Sequence, residues 1–144
     1  IEKYTKQEVN EIEDEKSIKS SHTTIQPKIN YTDKNVLSIS TVEHVDTGEY
    51  GNPVGPNKAI DLIKKIITES KNYLISFPVG YNRELEEVLT DNGVVCIIMK
   101  RDENNNWSLA KGQPLSDFHY NSPYNAGNAV AFLTNLDIDF TFGE

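Results

Sequence analysis

Six consecutive apolar residues, Val94-Val95-Cys96-Ile97-Ile98-Met99, constrain this chain more than any other feature in it. A strand with one solvent face alternates apolar and polar side chains, because successive residues point to opposite sides of the sheet. A strand without that alternation is buried on both faces, the pattern of a central strand in a sheet covered by helices. The residues ahead of it agree. Ala59, Leu62, Ile63, Ile66 and Ile67 recur at helical spacing, with Lys58, Asp61, Lys64, Lys65 and Glu69 on the other side, which predicts an amphipathic helix. Residues 73–77 predict a short strand closed by Pro78 and Gly80. Asn82 is placed to cap a second helix, with Leu85, Val88 and Leu89 inward and Glu84, Glu86 and Glu87 outward; Asp91-Asn92-Gly93 ends it. Upstream, Leu37 and Ile39 alternate with Ser38 and Ser40, a half-buried strand over 36–42. Strand, helix, strand, helix, strand implies parallel crossover units.

The rest of the chain adds antiparallel pieces. Asp102-Glu103-Asn104-Asn105-Asn106 reads as a hairpin tip between the strand at 94–99 and another at 107–111. Residues 112–125 form a loop rich in aromatics. Ala126, Ala129, Val130 and Leu133 have helical spacing, and Leu136, Ile138, Phe140 and Phe142 alternate with Asp137, Asp139 and Thr141 as a last strand with one acidic face. The fold class is therefore α/β, a small mixed sheet of about five strands covered by about three helices. Residues 46–56 hold Gly48, Gly51, Pro53, Gly55 and Pro56 and read as a loop, Pro56 suiting the first position of the helix that follows. Residues 1–35 read as a charged tether, flexible or helical, ahead of one globular domain at 36–144.

Charge narrows the partners. The 144 residues carry 22 acids against 14 bases, and after Lys111 there is no lysine or arginine at all. The tether is nearly balanced, so the body holds almost all of the −8 formal charge. Nucleic-acid binding requires Lys and Arg to displace counterions from phosphates, and this body would repel a polyanion. A basic protein fits the field better. No run approaches a membrane span, so direct insertion of this segment is not expected. Ile1 in place of methionine suits a processed product or a piece of a longer chain, and on that reading an extracytoplasmic location is expected.

Reactive groups are few. One cysteine, Cys96, allows no internal disulfide and no multi-cysteine metal site, and its apolar neighbours make it an inert core thiol. The glycines at 48, 51 and 55 match neither phosphate-binding fingerprint, and Asp102 to Asn106 lack the twelve-residue calcium loop with its closing glutamate. No cofactor and no metal are expected. Of the histidines at 22, 44 and 119, the first lies in the tether. His44 and Asp46 would share one side of an extended strand, where a carboxylate can orient an imidazole base. His119 lies in the aromatic loop, and loops at strand ends are where α/β domains place ligand sites.

Residues 59–101, AIDLIKKIITESKNYLISFPVGYNRELEEVLTDNGVVCIIMKR, resemble the helix–strand–helix–strand opening of a phospholipase-D-like half. That family's catalysis depends on an HxKxxxxD motif whose histidine is the nucleophile. Set on His119, the motif meets Asn121 at its lysine and Ala126 at its aspartate, so the resemblance implies an order of elements and no active site.

Three functions are expected from these residues. The first is a non-catalytic interaction domain, an accessory or surface component that binds another protein through the 113–125 loop and the acidic C-terminal strand. Its contact residues would be Asp117, Phe118, His119, Tyr120, Tyr124, Asp137 and Asp139. The second is an immunity or inhibitor protein that neutralises a basic toxin or nuclease, since complementary charge speeds encounter. The third is a hydrolase or nuclease using His119 with His44 and Asp46, which requires those side chains to converge in one cleft.

Overall fold

The computed structural model describes residues 29–45 and 58–141. Five strands form one mixed sheet in the order β1-β2-β5-β3-β4. Strand β1 (Asn35–Ile39) runs parallel to β2 (Asn72–Pro78), with Leu37 opposite Leu74. The helix between them, α1 (Lys58–Glu69), buries Ala59, Ile60, Ile63 and Ile66. Helix α2 (Arg83–Asp91) starts where Asn82 Oδ1 accepts the Leu85 N–H at 3.0 Å and stops before Gly93, whose φ of +70° suits a residue without a Cβ. Strands β3 (Ile97–Arg101) and β4 (Trp107–Leu109) make the expected hairpin. Its tip is closed by Asp102, whose carboxylate accepts the N–H groups of Asn104 and Asn106 at 2.9 Å each. Those bonds, Asn106 first, hold the Asp102 carboxyl below its ordinary value.

Strand β5 (Ala129–Thr134) lies in the middle, antiparallel to β2 on one side and β3 on the other. This corrects the helix expected over 126–133. Three of the four apolar residues, Ala129, Val130 and Leu133, also fit a six-residue strand, Ala126 lying in the turn ahead of it with φ of +65°, and alanine's helix preference is outweighed by two vacant sheet edges. Burial alternates along β5: Ala129, Ala131 and Leu133 face the helices, while Val130 and Phe132 face the opposite side. Two alanines at the centre of the helix-facing side let α1 and α2 approach the sheet closely, completing a core with Ile75, Phe77, Ile98, Ile63, Leu85 and Leu89.

Three further expectations change. Two α-helices are present among the described residues, not three, and both pack on the same side of the sheet. The apolar run at 94–99 is neither central nor wholly strand. Pairing begins only at Ile97, Val95 is 86% exposed, and β3 lies second from the edge. Residues 136–141 are not a strand: β5 already fills the central position, and the segment runs free of the ladder with Phe140 resting on Phe132, ring centroids 5.2 Å apart.

Part of the expected tether belongs to the body. Tyr31 is buried, its N–H donates to Glu69 Oε2 at 3.3 Å, and Lys65 lies over its ring at 5.8 Å. Residues 1–28, and the loop at 46–56 with its Pro56, lie outside the described residues. No helix among the described residues is long and apolar enough to cross a membrane.

Candidate functional site

Strands β1 and β2 end on the same side of the sheet, and three segments meet there: the 3-10 turn Val42–His44, residues 79–83 after β2, and the loop at 112–128 that leads into β5. This is the end of a parallel sheet at which ligands are bound.

Gly80 seats the loop. Its φ is +89°, and a Cβ there would come within 2.6 Å of the Tyr120 nitrogen, so only glycine allows the loop backbone to lie on the turn. The Gly80 N–H is shared between the two carboxylate oxygens of Glu86, at 3.1 and 3.0 Å. Glu86, expected on the outer side of α2, is only 3% exposed. It stands four residues after Asn82, at the margin of the buried stripe, where the side chain can turn under the loop. Burial pushes its carboxyl up to about 7, against the opposing pull of the Gly80 N–H and Arg83. Cys96, half-buried, has its thiol pushed up to about 11, by burial first and Glu86 second, so it stays protonated as the sequence implies.

Arg83 ties α2 to the loop. Its guanidinium reaches Glu86 at 3.4 Å, the Leu115 carbonyl at 3.2 Å, the Phe118 carbonyl and His119 Nδ1 at 3.1 Å. A guanidinium can only donate, so His119 Nδ1 accepts and the ring proton lies on Nε2. Asn128, 4% exposed, fastens the other end. Its amide donates toward the carbonyls of His119, Tyr124 and Ala126 at 3.2, 2.8 and 3.1 Å and accepts the Tyr124 N–H at 3.0 Å. Arg101 covers the Tyr124 ring at 5.4 Å and donates to the Asn125 carbonyl.

The outer surface of this rim is a line of rings. His44 meets Tyr81 edge to face at 5.0 Å, and Tyr81 meets Tyr120 at 5.1 Å. Behind His44 stands Glu43, fully buried. Its Oε1 accepts the Ser40 hydroxyl at 2.5 Å and lies 3.6 Å from His44 Nε2, while Oε2 has no hydrogen-bond partner among the described residues. Asn82, besides capping α2, donates to the Glu43 carbonyl at 2.8 Å and so binds the two turns together.

No family model, curated protein or solved structure matches the chain. The phospholipase-D-like resemblance of residues 59–101 thus has no counterpart there, although α1, β2, α2 and β3 follow the order it implies.

Of the residues expected to touch a partner, Asp117 and His119 are exposed, Tyr120 and Tyr124 are half-buried, and Phe118 is buried as the anchor of the loop. Asp137 and Asp139 are exposed but follow the far end of β5, where Asn135 bonds the Lys71 carbonyl and the Tyr73 N–H. Thr141 bonds hold the Asp139 carboxyl below its ordinary value. His44 and His119 share the rim: His44 and Tyr120, the neighbour of His119, both meet Tyr81, while the His119 ring is held by Arg83; Asp46 lies outside the described residues, and the carboxylate beside His44 is Glu43. Among the described residues no group of three His, Cys, Asp or Glu side chains gathers to hold a metal. Sequence reasoning missed Ser40, Glu43, Tyr81, Arg83 and Asn128. Only Arg83 left a trace, as one of two arginines in a lysine-rich chain.

Proposed function

We propose that this is a recognition domain that binds another protein at the rim formed by His44, Tyr81, Tyr120 and the 113–125 loop. One observation carries the reading: half-exposed rings from three segments stand edge to face, and the loop that carries Tyr120 is fastened through main-chain carbonyls by Arg83 and Asn128. Amphipathic rings held rigid before contact lose little entropy on binding and are the side chains that dominate interfaces. The acidic body favours a basic partner and disfavours nucleic acid. A basic toxin or nuclease is one protein of that chemistry, and protection on co-expression would identify the pair.

The test is capture of a defined partner by the full chain and by a Tyr81→Ala, Tyr120→Ala variant. Loss of two central rings should weaken binding at least about tenfold with the circular dichroism unchanged. Lysine at Asp137 and Asp139 should slow association and leave dissociation alone, since those acids lie away from the rim. Undiminished capture by the tyrosine variant would remove the rim from the interface.

A further inference from the structure

We propose that Ser40 is a nucleophile and Glu43 its base, so that the turn after β1 is an acyl-transfer site for esters and other activated acyl groups. This goes beyond the recognition reading and stands or falls separately from it. Ser40 follows the last residue of β1 with φ of +47°, a left-handed conformation that costs a non-glycine residue energy. Its N–H is satisfied by the Ser76 carbonyl at 2.9 Å, which anchors the strained position to β2. Ser40 as a residue is exposed, yet its hydroxyl donates at 2.5 Å to a carboxylate that is fully buried.

A nucleophile within hydrogen-bond reach of a base, the base oriented by a further group, is the arrangement that activates a hydroxyl. Here the base is oriented through its main chain by Asn82 and flanked by the His44 ring. The Glu43 Oε2, without a hydrogen-bond partner among the described residues, is the second sign. A buried carboxylate lacking its hydrogen bonds is costly, and a structural role would be served equally well by a neutral side chain.

The step balances without a co-reactant. Ser40 Oγ bonds to the acyl carbon as its proton passes to Glu43 Oε1; the ester C–O bond then breaks, and the departing alkoxide takes that proton. Water then bonds to the acyl carbon as its proton passes to the same Glu43 oxygen; the Ser40 Oγ–acyl bond breaks, Oγ takes that proton back, and the acid leaves.

The full chain would be treated with a fluorophosphonate, which phosphonylates activated serines, and mapped by peptide mass spectrometry. The expected result is one adduct, on Ser40, absent from Ser40→Ala and formed at least about a hundredfold more slowly in Glu43→Gln, the range general-base removal costs. With p-nitrophenyl acetate, the native chain should show a burst of about one nitrophenolate per chain that Ser40→Ala lacks. An unlabelled Ser40, or one labelled no faster than in the urea-unfolded chain, overturns the proposal. So does full-rate labelling in folded Glu43→Gln. Ser40→Ala removes the hydrogen bond to the buried Glu43 carboxylate, so its fold is checked by circular dichroism; the comparison of native with urea-unfolded labelling stays readable even if either variant fails to fold.

Discussion

Replacing Glu86 by glutamine tests the electrostatics of the rim directly. The folded carboxyl titrates at about 7 where an unconstrained one titrates at 4.5. Below pH 4.5 both states hold the proton and the site makes no demand on stability. Between 4.5 and 7 the folded chain keeps a proton that the unfolded chain has lost, so stability falls as pH rises; above 7 the penalty is constant. At about 1.4 kcal/mol per pH unit the gap amounts to roughly 3 kcal/mol. Glutamine fills the same volume, still accepts the Gly80 N–H and cannot ionise, although it gives up the attraction of Arg83. Glu86→Gln should therefore match the native chain near pH 4 and exceed it near pH 8 by up to about 3 kcal/mol. Urea unfolding at half-unit pH steps, followed by the fluorescence of Trp107, the single tryptophan, would draw both curves. Parallel curves from pH 5 to 8 would refute the burial argument. A variant that loses ground toward pH 8 would show instead that the Arg83 pair outweighs desolvation.

Two substitutions probe how the loop is fastened. Asn128→Ala takes a donor from the His119 and Tyr124 carbonyls and the acceptor from the Tyr124 N–H, while the Ala126 carbonyl keeps the Asn121 N–H; it should cost roughly 2–4 kcal/mol, with faster amide exchange confined to residues 119–126. Gly80→Ala should cost roughly 2–4 kcal/mol. The matched control is Gly93→Ala, at a similar φ of +70° with nothing within 4 Å of the added carbon. If the two alanine variants melt together, the close approach of Tyr120 contributes nothing.

The elements with local signatures were legible. The stripe of α1, the Asn82 cap and the hairpin tip at 102–106 each follow from side chains acting on their own neighbours. What was not legible depends on distant pairing. Residues 129–134 become a strand only because β2 and β3 leave a gap between them, and the alternation at 136–140 yields no strand because that gap is already filled. The rim divides the same way. His119, Tyr120 and Tyr124 stand out by type within one loop, whereas Glu43 and Asn128 matter through what folding buries around them. A glutamate beside a histidine, or an asparagine among fifteen, carries no mark of that in the sequence.

The position of β5 has a consequence for how the chain is made. Its two ladders are the joints that connect the β1–β2 pair to the β3–β4 hairpin. Before β5 has emerged from the ribosome, the β1–β2 pair and the β3–β4 hairpin are half-sheets with no strand ladder between them among the described residues. Closure waits on β5, so a nascent chain stalled before residue 129 offers chaperones, and neighbouring copies of itself, the slot that β5 is meant to fill.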